Sequence, residues 1–310
     1  MRVLLALLLG GLWALSACAA PPASSTPSAE ASSASPSPSP VEQSPRPSAA
    51  ESAEGNQGDE ESRPAQKLKV EILQTFPHDR GAYTQGLLWH QGKLFESTGL
   101  YGASSVRRVD LQSGRVEQRR DLDQAFFGEG LERIGDRLVQ LTWLSGLALY
   151  WDVETFEPIE FVGYRGEGWG LCFDGQRLIR SDGTATLYFH DPESFELLGS
   201  VEVREDGRAV HFLNELECID DGIWANVYKT RDFVRIDGAT GGVTHRAGAA
   251  VVFDAARAEN IDLSGADYMN GIAYRPAEKG DDVGTFLITG KLWPRLYEVA
   301  FVDDDGQRVK

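Results

Sequence analysis

A carboxylate, Glu129, an ammonium, Lys291, and three carboxamides, Gln85, Asn214 and Asn270, occupy repeat positions that run through this sequence. A single carboxylate beside a lysine suits proton transfer between amine and amide nitrogens. Glycoside cleavage normally needs a second carboxylate. The one at hand is Glu167, two residues before a repeat position and able to face the same way by strand alternation. The histidines His78, His90, His190, His211 and His245 share no repeated offset or metal-ligand spacing. No zinc site and no cofactor are therefore expected. No Gly-x-Ser-x-Gly elbow occurs, and no serine falls on a repeat position, which weighs against a serine nucleophile.

The repeat that defines these positions is a phrase X-Gly-Leu with a period of about 40 residues. Its instances are Gln85-Gly86-Leu87, Glu129-Gly130-Leu131, Trp169-Gly170-Leu171, Asn214-Glu215-Leu216 and Asn270-Gly271-Ile272. A second apolar run follows each, starting at Leu94, Leu138, Leu178, Ile223 and, after an insertion, Phe286. A fixed period in this range means stacked or radial units. Short β-rich runs broken by turns make each unit a four-stranded blade, so the expectation is an all-β fold, a five-bladed β-propeller. The first strand of every blade then lines a central channel, and the five X residues face one another across its mouth. Five residues into the second strand stand Gly99, Trp143, Gly183, Tyr228 and Lys291. A purely structural ring would repeat one residue type; this mixture of acid, amides, aromatics and lysine reads as a binding pocket. Taken singly, Glu129 could only cap backbone amides and Lys291 could be a solvated strand end. Trp143 and Trp169 would suit a β core, and Asn214 and Asn270 a turn. The turn role is kept for Asn270.

Each blade can be followed outward through a turn entered by an aspartate: Asp110, Asp152, Asp191 and Asp237. These are assigned to backbone hydrogen bonding and not to chemistry. Blade 5 runs from Tyr268 to Val302, and residues 67–76 are expected to complete it from the other end of the domain. Cys172 and Cys218 lie at offsets +3 and +4 from X in adjacent blades. Opposite strand faces would keep them apart as buried free thiols. Glu132, at offset +3 in blade 2, is expected to be an ordinary surface residue away from the mouth.

Residues 1–18 read as a lipoprotein-type signal peptide, with Arg2, an apolar run and the ending Leu15-Ser16-Ala17-Cys18. That run is too short for a membrane span. Cys18 is the expected lipidation site, because the ending resembles the bacterial lipobox. Residues 19–66, rich in Ser, Pro and Ala, cannot bury enough surface to order themselves and form a disordered tether. Residues 67–310 form the propeller domain. The expected location is extracytoplasmic, lipid-anchored to a bacterial membrane. A formal charge of −17 argues against nucleic acid or anionic lipid as a partner. A monomer touching the membrane through its lipid alone is the expected state.

From Tyr83 to Glu298 the chain resembles the plant-type and bacterial glutaminyl-peptide cyclotransferases, a five-bladed propeller family. The likeness rests on eight segments in order. They are Tyr83-Thr84-Gln85-Gly86-Leu87, Glu96-Ser97-Thr98-Gly99-Leu100-Tyr101-Gly102, Phe127-Gly128-Glu129-Gly130-Leu131 and Gln140-Leu141-Thr142-Trp143. Then follow Gly166-Glu167-Gly168-Trp169-Gly170-Leu171, Leu213-Asn214-Glu215-Leu216-Glu217, Asn270-Gly271-Ile272-Ala273-Tyr274 and Thr289-Gly290-Lys291-Leu292-Trp293-Pro294. The resemblance implies conversion of N-terminal glutaminyl residues of peptides or proteins to pyroglutamyl with loss of ammonia. It implies Glu129 as the proton-transferring residue, with Lys291, Asn214 and Gln85 around the substrate amide. Phe127, Trp143 and Trp169 would be aromatic walls. Tyr83 stands where the family often has Phe, and Tyr228 where it often has Trp; both keep an aromatic face. The rival reading, from another class, is a non-catalytic propeller that binds peptide or sugar at its mouth.

Overall fold

A computed structural model describes residues 64–277 and 283–310. The expected signal peptide, Cys18 and nearly all of the tether lie outside them. Five antiparallel blades of four strands follow one another along the described chain. Blade 1 comprises Thr84–His90, Lys93–Thr98, Ser105–Val109 and Val116–Asp121. Blade 2 comprises Gly128–Ile134, Arg137–Thr142, Leu147–Asp152 and Pro158–Gly163. Blade 3 comprises Leu171–Phe173, Leu178–Arg180, Thr186–His190 and Leu197–Glu202. Blade 4 comprises Leu213–Ile219, Gly222–Val227, Asp232–Asp237 and Val243–Gly248. Blade 5 has Met269–Arg275, Thr285–Gly290 and Arg295–Val302, and its fourth strand is Gln66–Pro77 from the opposite end of the domain. That strand pairs antiparallel with Arg295–Val302, from Lys69↔Val302 to Pro77↔Arg295. Over residues 66–68 it also runs parallel to residues 245–247 of blade 4.

Burial follows radial position. Second strands are covered on both faces and are almost wholly buried, as in Lys93–Thr98 and Gly222–Val227. Fourth strands such as Val116–Asp121 alternate half-buried and exposed. Each outer turn is fixed by its aspartate. Asp152 Oδ1 accepts from the amides of Glu154 and Thr155 and from the Thr155 hydroxyl at 2.8–3.1 Å. Asp110, Asp191 and Asp237 do the same in their blades. Donors held against these carboxylates keep all four below the usual aspartate range.

Blade-to-blade packing overturns the expectation for the two cysteines, because Cys172 and Cys218 form a disulfide with Cα atoms 5.4 Å apart. Alternation within one strand does separate the faces at offsets +3 and +4. In a radial array, however, the face of one blade abuts the opposite face of the next. Leu88 (+3) of blade 1 accordingly packs with Leu131 (+2) of blade 2. Likewise Cys172 (+3) of blade 3 packs among Leu216 (+2), Ile223 and Val234 of blade 4. Opposite parity is what brings the two sulfurs together.

Between blades 4 and 5 the chain makes an excursion that the repeat does not foreshadow. It contains the helix Ala250–Ala258, the one α-helix among the described residues. Alanines at 249, 250, 255, 256 and 258 favour it. Val252 packs with Trp293 in the blade 4–blade 5 core.

Candidate active site

Inner strands bend where the X residues stand. The pairing of first and second strands slips between Thr84 and Gly86, Gly128 and Leu131, Leu213 and Leu216, and Met269 and Ile272. An irregularity of this kind re-aims the side chain it contains. Gln85, Glu129 and Asn214 thereby converge on one mouth of the channel. In blades 1 to 3 the neighbouring position must be small because inner strands crowd at the axis: a Cβ on Gly170 would collide with the backbone of Asn214 and Glu215, whereas blade 4 carries Glu215 there.

Nine residues line one cavity of about 220 Å³: Tyr83, Gln85, Phe127, Glu129, Trp143, Trp169, Asn214, Tyr228 and Lys291. All nine are sites singled out from the sequence, drawn from all five blades. Gln85, Glu129, Asn214 and Lys291 are buried and make a polar floor, each 2–4% exposed. The aromatics are half-buried and make the walls. Phe127 meets Trp143, Tyr83 and Tyr101 edge-on, with centroids 5.4–6.1 Å apart. Phe127 lies so close over Gly99 that a Cβ there would enter its ring.

On the floor, the Gln85 carboxamide joins the two charged groups. Its Nε2 donates to Glu129 Oε1 at 2.9 Å, and its Oε1 accepts from Lys291 Nζ at 2.5 Å. Asn270 is not in a turn. It sits buried in the inner strand of blade 5 and donates from Nδ2 to Gln85 Oε1 and to the Thr84 carbonyl, both at 3.1 Å. Burial is the largest influence on both charged residues and acts on them in opposite directions. It pushes Glu129 well above the carboxylate range, against the pull of Lys291 and with help from Glu167. It brings Lys291 down to about 8, against the pull of Glu129 and Asp267. Lys291 also lies over the rings of Tyr83 and Tyr228, at 4.8 and 5.1 Å, where the π faces favour its charged form. Asn214 Oδ1 has no partner. A buried acceptor left unpaired is costly, and this one belongs to a cavity-lining side chain.

Two contributors lie outside the sequence-derived set of lining residues. Glu167 Oε2 accepts from both indoles, Trp143 Nε1 at 2.6 Å and Trp169 Nε1 at 2.9 Å, and so fixes the two walls to one another. Its backbone carbonyl is held in turn by Arg180, which is stacked on Tyr164 and Tyr188. Asp267, from the helical excursion, accepts from Tyr83 Oη at 3.1 Å and its amide donates to the Lys291 carbonyl at 2.8 Å. Nothing in the repeat could point to Asp267, because the excursion belongs to no blade.

Further down the channel, Glu132 is not the surface residue expected. Its Oε2 accepts from the amide of Phe173 at 3.0 Å. Glu215 accepts from the amides of Leu87 and Ile272, and Glu217 from that of Tyr274. Innermost strands have one unpaired edge, and these carboxylates satisfy its buried N–H groups. Burial lifts all three; Glu132 rises to about 7. Among the described residues no cluster of His, Cys, Asp and Glu is arranged to hold a metal ion.

A β-propeller with an acid and an ammonium on the floor of an aromatic-walled pocket has the form of an enzyme for a small polar group. Comparison with known proteins defines it further. A family model described as glutamine cyclotransferase matches residues 47–301. A glutaminyl-peptide cyclotransferase of Arabidopsis thaliana is 41% identical over 234 residues, 74% of this chain and 71% of the relative. The crystal structure of Myxococcus xanthus glutaminyl cyclase superposes with a TM-score of 0.68 at 39% identity, covering 76% of this chain and 98% of that one. The chain belongs to the glutamine cyclotransferase family.

Proposed function

We propose that this chain cyclises N-terminal glutaminyl residues of peptides or proteins to pyroglutamyl with release of ammonia, Glu129 carrying the proton. The observation that supports this most is the floor of the cavity, where a buried carboxylate and a buried ammonium flank the space a carboxamide would enter. The substrate α-amine titrates near 7.7–8.0, so much of it is neutral and nucleophilic at neutral pH. Its nitrogen attacks the γ-carboxamide carbon of the same residue, closing a five-membered ring and placing negative charge on the carboxamide oxygen. Lys291 stabilises that oxyanion. Glu129 takes a proton from the attacking nitrogen and returns it to the amide nitrogen. The carbon–nitrogen bond then breaks and ammonia leaves. Burial that raises the proton affinity of Glu129 makes it a stronger base for the first transfer. Asn214 Oδ1 is free to accept from the amine or carboxamide N–H. The aromatic walls hold the folded conformer of the substrate, which supplies effective concentration.

No residue on the floor is a His or Cys, which supports turnover without a bound transition metal. We also propose that the domain works outside the cytoplasm, tethered through Cys18; the Cys172–Cys218 disulfide fits an oxidising compartment. The direct test of the activity incubates the purified chain with a Gln-initiated peptide. Stoichiometric ammonia and loss of the free amino terminus are expected, and absence of both defeats the reading.

A further inference from the structure

The cavity is small, about 220 Å³, and its polar floor of Gln85, Glu129, Asn214 and Lys291 is built around a single polar group. If an N-terminal glutaminyl residue fills it, as the function above requires, the residues that follow must lie on the rim. That rim is apolar. Tyr101 stands over the mouth with its ring 5.4 Å from Phe127. Leu144 directly follows the wall residue Trp143. Phe212 stands two residues before Asn214, and its carbonyl accepts from the Tyr228 amide at 2.8 Å. The Tyr268 ring is 4.9 Å from that of Tyr228, and its carbonyl accepts from the Lys291 amide. All four side chains are 40–57% exposed. Large apolar side chains this exposed normally mark a contact surface when they lie together.

The repeat accounts for the place of two of them, Phe212 and Tyr268. The position two residues before X holds Tyr83, Phe127, Glu167, Phe212 and Tyr268 in blades 1 to 5. Tyr83 and Phe127 are half-buried walls of the cavity, while Phe212 and Tyr268 continue the same ring outward into solvent. Blade 3 alone supplies a charge there, and that charge is engaged by the two indoles. The exposed arc adjoins the cavity wall, and the Lys229 ammonium lies over it, 5.9 Å from the Phe212 ring and 5.5 Å from the Tyr228 ring.

We infer that this arc is the docking surface for the second and third residues of the substrate, and that it selects peptides with large apolar side chains there. The inference rests on the cyclisation reading and adds the class of peptide. Partial burial of an apolar side chain against such a rim corresponds to about a tenfold preference.

The test measures kcat/KM for ammonia release by the full chain on two peptides, one starting Gln-Leu-Leu and the other Gln-Ser-Ser. The wild type should favour the first about tenfold, mainly through KM. In the double variants Tyr101→Ser/Leu144→Ser and Phe212→Ser/Tyr268→Ser the ratio should fall toward one. A ratio between substrates of one preparation is insensitive to partial loss of folded protein. Equal kcat/KM for both peptides with the wild type overturns the rim assignment but leaves cyclisation standing. Absence of turnover on both peptides overturns cyclisation itself. A ratio that survives both double variants also overturns the assignment, and all the more so if the variants change the elution volume, which would make the rim a contact between copies.

Discussion

Gln85 was expected beside the substrate amide, yet its carboxamide is already engaged on both sides, by Glu129 and by Lys291 with Asn270. In the proposed mechanism it would orient Glu129 and Lys291 and leave the open acceptor to Asn214. Three outcomes follow at this scale. Glu129→Gln keeps the shape and removes the base, so turnover should drop by about 10²–10⁴ while KM and melting temperature stay close to wild type. Retained ammonia release would move proton transfer to another group. Lys291, at about 8, should impose an alkaline limb on kcat/KM as its charge is lost. Lys291→Arg keeps the charge, so that limb should vanish even if the rate falls; an unmoved limb assigns it elsewhere. Glu167→Gln keeps an acceptor oxygen but removes the charge that strengthens both indole hydrogen bonds. Loosened walls should raise KM more than they lower kcat. Removing the nearby charge should also move the acidic limb that ionisation of Glu129 would impose on kcat/KM to lower pH, since Glu167 helps to hold Glu129 up. The positions of these residues were legible because the repeat superimposes them. What they bond to was not, since Asp267 belongs to no repeat and a hydrogen bond such as that from Gln85 to Glu129 depends on rotamers.

Strand order, turns and the borrowed outer strand of blade 5 were readable from period and alternation. Relations between blades were not, because alternation states which residues share a face without saying which face meets which neighbour. Both errors at this scale, Cys172–Cys218 and Glu132, come from that gap. Each now carries an expectation. The disulfide spans 46 residues, and Cys172→Ser with Cys218→Ser should cost about 2–4 kcal/mol, read as a lower melting temperature. Glu132 has a folded value of about 7 against 4.5 for an ordinary glutamate. The folded domain thus keeps a proton that the unfolded chain releases, and stability falls as pH rises across that window. Glu132→Gln should remove this loss, on the order of 3 kcal/mol. The variant's melting temperature should then gain on wild type between pH 5 and pH 8. A constant difference across that range would mean that Glu132 does not titrate there.

For the molecule as a whole, the anchoring proposal predicts that the full chain made in a bacterial host partitions into detergent. Cys18→Ala should then move it to the aqueous phase or leave it unprocessed. An unmodified wild type in the aqueous phase would sink the proposal.

The borrowed strand has a consequence for synthesis. Gln66–Pro77 is the first element of the domain to be made, and its antiparallel partner, Arg295–Val302, is nearly the last. Until residue 302 has left the ribosome the ring cannot shut, and blade 5 has only its inner pair of strands. Contacts spanning most of a chain are slow to form, so the nascent domain stays open throughout elongation, whereas the Cys172–Cys218 loop can close earlier. An unclosed chain is one that can still be threaded through a pore, and closure is delayed by topology without help from a partner. Chains truncated before Arg295 should remain protease-sensitive however far the first four blades have progressed.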